Sequence, residues 1–153
     1  MVRVSRLRVW LAADLRTAYA TSASAGQDLL HPLFADVVVL QHHPETAPGD
    51  GRRNGPELAA LQRQEVEMLA AAAPDYREDD VIVAVVDDSV DVRLTMRGTL
   101  ADGTAMEVPV RLVYGFTADR ITSMDAHLGG IAEDQRSTLE TTLGGLATSI
   151  RPD

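Results

Sequence analysis

Residues 81–128 read VIVAVVDDSVDVRLTMRGTLADGTAMEVPVRLVYGFTADRITSMDAHL. Apolar and β-branched residues run or alternate over 81–86, 90–99, 104–116 and 120–128, separated by Asp87-Asp88-Ser89, Ala101-Asp102-Gly103 and Thr117-Ala118-Asp119. Strand-type runs joined by such short polar segments predict a four-strand antiparallel meander. Side chains alternate faces along a strand. Leu94, Met96, Leu112, Tyr114, Phe116, Met124, Ala126 and Leu128 therefore share the face expected to point inward. Arg93, Thr95, Arg97, Arg111, Asp125 and His127 share the opposite one, expected to meet solvent or a second copy.

Upstream the periodicity changes. Val4, Leu7, Leu11, Leu15, Ala18 and Ser22 fall at three-and-four spacing and predict a helix over 4–22, ended by Gly26. Tyr19, four residues after Leu15, lies at the edge of that stripe and should bring its ring inside. A short helix over 28–34 leads into a strand at 36–43, whose run of Val37, Val38, Val39 and Leu40 reads as covered on both faces. Residues 44–54, rich in Pro, Gly and Asp, read as loop, and Pro56 opens a third helix that stops before Pro74. Residues 131–150 read as a closing helix. Helices grouped first and antiparallel strands last predict one α+β domain over 1–153, with the N-terminal helices on the concave face of a curved sheet. A homodimer burying the outer face is the simplest cover for its other side.

The chain has 153 residues and a net charge of -9, which argues against nucleic-acid or anionic-membrane partners. It has no cysteine, so thiol catalysis and thiolate metal sites are excluded. No segment reaches the roughly 20 apolar residues of a membrane span, and none reads as a signal-peptide core, so a cytoplasmic location is expected.

Four strings carry a resemblance to a known superfamily: YATSASAG at 19–26, LFADVVVLQHHP at 33–44, NGPELAALQR at 54–63 and VYGFTADRITSM at 113–124. In order and spacing the chain resembles the nuclear transport factor two-like superfamily, the cone-shaped fold of ketosteroid isomerase, SnoaL-like polyketide cyclases and limonene epoxide hydrolase. In the ketosteroid isomerase register the catalytic tyrosine falls on Tyr19, the general-base aspartate on His42, the second tyrosine on Gln62 and the oxyanion-hole aspartate on Leu112. Only Tyr19 matches, so steroid isomerisation by that route is not expected. The last aspartate of limonene epoxide hydrolase would fall near Ala126, and the acidic residue of SnoaL-like cyclases near Asp125. The resemblance implies a deep apolar pocket for a hydrophobic polyketide-like or cyclic substrate. Cofactor-independent cyclisation, isomerisation or dehydration would follow there. Epoxide opening or simple ligand holding are the alternatives.

The candidate site residues are His42 as base, Tyr19 as oxyanion donor, and Gln62 and Glu65 in support. Gln62 and Glu65 are polar positions inside the apolar stripe of the third helix, formed by Leu58, Leu61 and Leu69. They look either into the pocket, with Gln62 orienting a ligand or Tyr19, or onto a wet rim. A buried Glu65 would have its pKa raised by desolvation. Leu40, Leu94, Met96, Leu112, Tyr114, Phe116, Met124, Ala126 and Leu128 are expected to line the pocket. No metal is expected, since adjacent His42 and His43 point to opposite faces.

Overall fold

A computed structural model describes residues 6–43 and 49–128. Helix α1 is Arg6–Thr21, α2 is Ala23–Leu30, and a 3-10 turn, His31–Leu33, leads into strand β1, Phe34–His43. Strand β2, Gly51–Asn54, precedes α3, Gly55–Ala72. The remaining strands are β3, Arg77–Val86; β4, Ser89–Thr99; β5, Ala105–Thr117; and β6, Arg120–Leu128. The six strands form one curved, unclosed mixed sheet in the order β2-β1-β6-β5-β4-β3, in which β1 runs parallel to β6 and every other pair is antiparallel. This is the expected α+β architecture with helices on the concave face. The closing helix expected at 131–150 lies outside the described residues.

Local chemistry explains the boundaries. The Ser22 side chain accepts a hydrogen bond from the Ala25 amide at 3.0 Å and so starts α2 directly after α1. Asn54 caps α3 in the same way, accepting from the Glu57 amide at 3.0 Å. Gly55 follows it because a Cβ there would meet the Ala35 carbonyl oxygen.

Three expectations are corrected. Gly26 does not end a helix but sits inside α2. Residues 51–54 are not loop: Gly51 to Asn54 pair antiparallel with β1. Val37 and Val39 are 41% and 45% exposed, so only one face of β1, carrying Val38 and Leu40, is covered within the chain. The core lies on that same face of every strand. It joins Leu11 and Leu15 of α1, Leu58 and Leu69 of α3, and Val83, Val92, Val108 and Tyr114 of the sheet. Burying such apolar surface contributes roughly 25 cal/mol per Å² and is what holds the helices on the sheet.

Candidate functional site

Tyr19 is buried, as its place on the helix stripe requires. Its ring rests on Gly26: a Cβ at that position would come within 2.6 Å of the ring carbons. The glycine is therefore what lets α2 lie flat against the phenol. The Tyr19 hydroxyl meets that of Tyr114 on β5, and burial first, then this neighbour, raises the Tyr19 pKa well above its ordinary value. Tyr114 is raised too, chiefly by burial. Both phenols stay protonated at any physiological pH and can act as O–H donors.

His42 lies on the same face of β1 as Val38 and Leu40, opposite Ala126 of β6. Its Nδ1 is 2.6 Å from Oδ1 of Asp50, and its backbone amide donates to Oδ2 of the same residue at 2.9 Å. A carboxylate only accepts, so Nδ1 carries the proton of this pair, and in the neutral imidazole Nε2 is the nitrogen with the lone pair. Nε2 makes no hydrogen bond among the described residues. Asp50 was unforeseen, because a single acid inside a Pro- and Gly-rich stretch carries no periodic signal.

Glu65 is half-buried on α3, and burial pushes its carboxyl up to about 7, while the nearby His42 acts in the opposite direction. Gln62 is occupied elsewhere. Its Oε1 accepts from Nε2 of His31 at 2.8 Å, and its amide nitrogen donates to Sδ of Met124 at 2.8 Å. The amide therefore bridges the 3-10 turn to β6 and does not orient Tyr19. With Nε2 carrying the proton, His31 keeps Nδ1 as a buried acceptor without a partner. Burial lowers the His31 pKa accordingly, with the Gln62 contact opposing.

A second acidic group was missed by strand parity. Glu78 pairs with Met96 across β3 and β4, and so shares the inner face. Beyond it the register shifts between Asp79 and Ile82, with Asp80 at φ 56°, which breaks the alternation that sequence reading depends on. Glu78 accepts a hydrogen bond from the Tyr76 hydroxyl at 3.0 Å. Burial pushes its carboxyl up to about 7 despite that donor. Glu65 interacts electrostatically with both His42 and Tyr76, and Glu78 with Tyr19 and Tyr114. The interior thus holds a series of polar, ionisable side chains from Asp50 and His42, past Glu65 and Tyr76, to Glu78 and the two phenols.

Of the expected lining, Leu40, Leu94, Tyr114, Phe116, Met124 and Ala126 are buried on the inner face, and Met96 and Leu112 are partly buried there. Leu128 ends β6, with its side chain outside the described set. A cleft of about 340 Å³ lies at the corner of α1, α2, α3 and β3, bounded by Tyr19, Ser22, Val66, Ala70, Tyr76 and Glu78, and one of about 450 Å³ opens on the outer face beside Arg93, Arg111 and His127. Asp125 and His127 lie on the outer face. Asp125 accepts from Nε2 of His43 at 2.9 Å, and the His43 and His127 rings stack at 4.3 Å. No group of three or more metal-ligating side chains occurs among the described residues. No described helix is long and apolar enough to cross a membrane.

No protein-family model matches the chain, and neither does any curated protein. Solved structures do. An NTF2-like protein from Burkholderia thailandensis E264 is 16% identical, with a TM-score of 0.60 over 88% of this chain and 98% of that one. Bal32a, from a soil-derived mobile gene cassette, is 17% identical with a TM-score of 0.59, covering 86% and 98%. A candidate SnoaL-like polyketide cyclase from Jannaschia sp. CCS1 is 14% identical with a TM-score of 0.56, covering 84% and 90%. The strand order, the helix-covered concave face and these similarities agree: the chain has the NTF2-like fold, shared with SnoaL-like and ketosteroid isomerase-like proteins.

Proposed function

We propose that this protein is a cofactor-independent acid–base catalyst acting on a hydrophobic cyclic or polyketide-like carbonyl compound. The observation that carries the reading is the 2.6 Å contact between His42 Nδ1 and Asp50 Oδ1, which tethers an imidazole on the same face of β1 as Val38 and Leu40. An imidazole so tethered has the geometry of a general base. Nε2 removes a proton from the carbon next to the carbonyl, and the electron pair moves to the carbonyl oxygen. The protonated Tyr19 and Tyr114 pair supplies donors for that developing charge. Glu65, poised near neutrality beside His42, returns a proton to carbon or to a departing hydroxyl. Isomerisation or dehydration follows according to where that proton goes. Gln62 supports the site through His31 and Met124. In this reading the chain works as a homodimer joined through the outer sheet face, where Val37, Val39, Ile82 and Val86 are exposed.

Deuterium wash-in from heavy water tests the chemistry directly. Wild-type protein is incubated with a panel of cyclic ketones and cyclic 1,3-diketones, and proton NMR follows loss of the signal next to the carbonyl. His42→Ala should abolish wash-in, and Asp50→Asn should slow it, while ligand-induced shifts persist. Wash-in that is equal in wild type and His42→Ala removes the base assignment. Binding without any wash-in assigns the chain to ligand holding alone.

A further inference from the structure

Glu78 is a half-buried carboxyl whose described hydrogen-bond partner is a neutral phenol, and among the described residues no arginine forms an ion pair with it. It borders the corner cleft of about 340 Å³, beside the side chains of Tyr19 and Tyr76. The other charged residues on that rim cancel. The Arg77 Nε donates to Asp79 Oδ2 at 2.9 Å, leaving Glu78 as the uncompensated acid. Ala20, Ala23, Val66 and Ala70 give part of the remaining wall a small apolar surface, beside Thr21, Ser22 and Ser24.

A buried carboxylate without a counter-ion is expensive, and the cost disappears when a cation arrives. Phenol rings beside it offer their π faces to the same charge. We propose that this cleft is a binding site for a small organic ammonium ion, with Glu78 as the counter-charge, Tyr76 fixing its carboxyl, and the apolar walls taking the hydrocarbon part. The inference does not depend on His42 being a base. The groups facing Glu78 are Tyr76 just ahead of its strand, Tyr19 from α1 and Tyr114 from β5, with Glu65 of α3 acting on Tyr76. None of these phenols ionises near neutrality, and Glu65, which also titrates near 7, does not border the cleft, so Glu78 is the group whose titration sets the charge at its wall. Binding of a cation should therefore strengthen as pH rises past about 7, where the carboxyl ionises.

The experiment compares cyclohexylammonium with cyclohexanol, two ligands with the same ring and different charge, by amide chemical-shift titration at pH 5.5 and pH 8. The expected result is that the ammonium binds at least tenfold tighter at pH 8 than at pH 5.5, with shifts centred on residues 19–24 and 76–79, while cyclohexanol binds weakly at both. Glu78→Gln should abolish the preference for the ammonium, and Asp14→Asn, an exposed carboxylate on α1, should leave it intact. Equal affinity for both ligands, or an ammonium affinity unchanged by pH, overturns the proposal on the wild-type protein alone. Retention of full ammonium affinity in a folded Glu78→Gln protein overturns it as well.

Discussion

Apart from the His42–Asp50 pair at the end of β1, the two faces of the sheet handle charge in opposite ways. On the outer face, acids and bases neutralise one another. Arg97 spans Asp79, Asp80 and Glu107; Arg111 donates to Asp91 at 2.9 Å; and His43 reaches Asp125. On the inner side, among the described residues, no salt bridge reaches Glu65 or Glu78, and burial pushes both up to about 7. Residue type is the same on both sides, and the difference is the company it keeps. Where a base stands opposite, a carboxylate is inert structure. Where phenols and aliphatic groups surround it, the acid becomes ready to exchange a proton at neutral pH.

The contrast can be broken most severely through packing. Leu15 is fully buried beneath the sheet, so Leu15→Ala should cost about 2–5 kcal/mol in urea unfolding. Ile82→Ala, on the outer face and 62% exposed, should cost less than about 0.5 kcal/mol at dilute concentration. An Ile82 cost as large as that of Leu15, growing with protein concentration, would show the outer face covered by a second copy.

The charge contrast has a pH signature. Each inner carboxyl binds its proton more tightly folded than unfolded, so between about pH 4.5 and pH 7 the folded chain retains protons that the unfolded chain releases. Stability should therefore fall as pH rises through that window, by about 3 kcal/mol for each group. Glu65→Gln and Glu78→Gln should each flatten the curve, gaining over wild type at pH 8 and nothing at pH 4. Parallel curves for wild type and both variants would refute the raised values. A smaller effect tests the inner phenol: Gly26→Ala drives a methyl into the Tyr19 ring and should cost about 1–3 kcal/mol, with a changed tyrosine fluorescence. The smallest effect belongs outside. Arg97→Ala should cost under about 1 kcal/mol, and high salt should erase the difference.

Much of this was readable in the sequence, for a physical reason. Hairpins are local, and alternation places Leu94, Leu112, Tyr114, Met124 and Ala126 on one face without knowledge of anything distant. Tyr19 followed from helical spacing alone. What escaped reading depends on breaks in period or on partners far along the chain. Strand β2 is Gly-Arg-Arg-Asn, four residues with no apolar signal, ordered by pairing with β1. Glu78 turns inward ahead of a bulge that alternation cannot anticipate. Asp50 gains meaning only when the chain brings it back to His42, and Gln62 only through His31, 31 residues away. Gly26 looks like a helix terminator until the Tyr19 ring is laid across it.

The parallel pairing of β1 with β6 sets the order of assembly. Strands β3 to β6 zip through neighbouring hairpins, whereas Leu40 finds Met124 only after the chain between them has closed into a ring of contacts, a slow step because loop-closure entropy precedes any reward. The register that sets His42 opposite Ala126 should therefore be among the last to form, an order that pulsed hydrogen exchange during refolding checks.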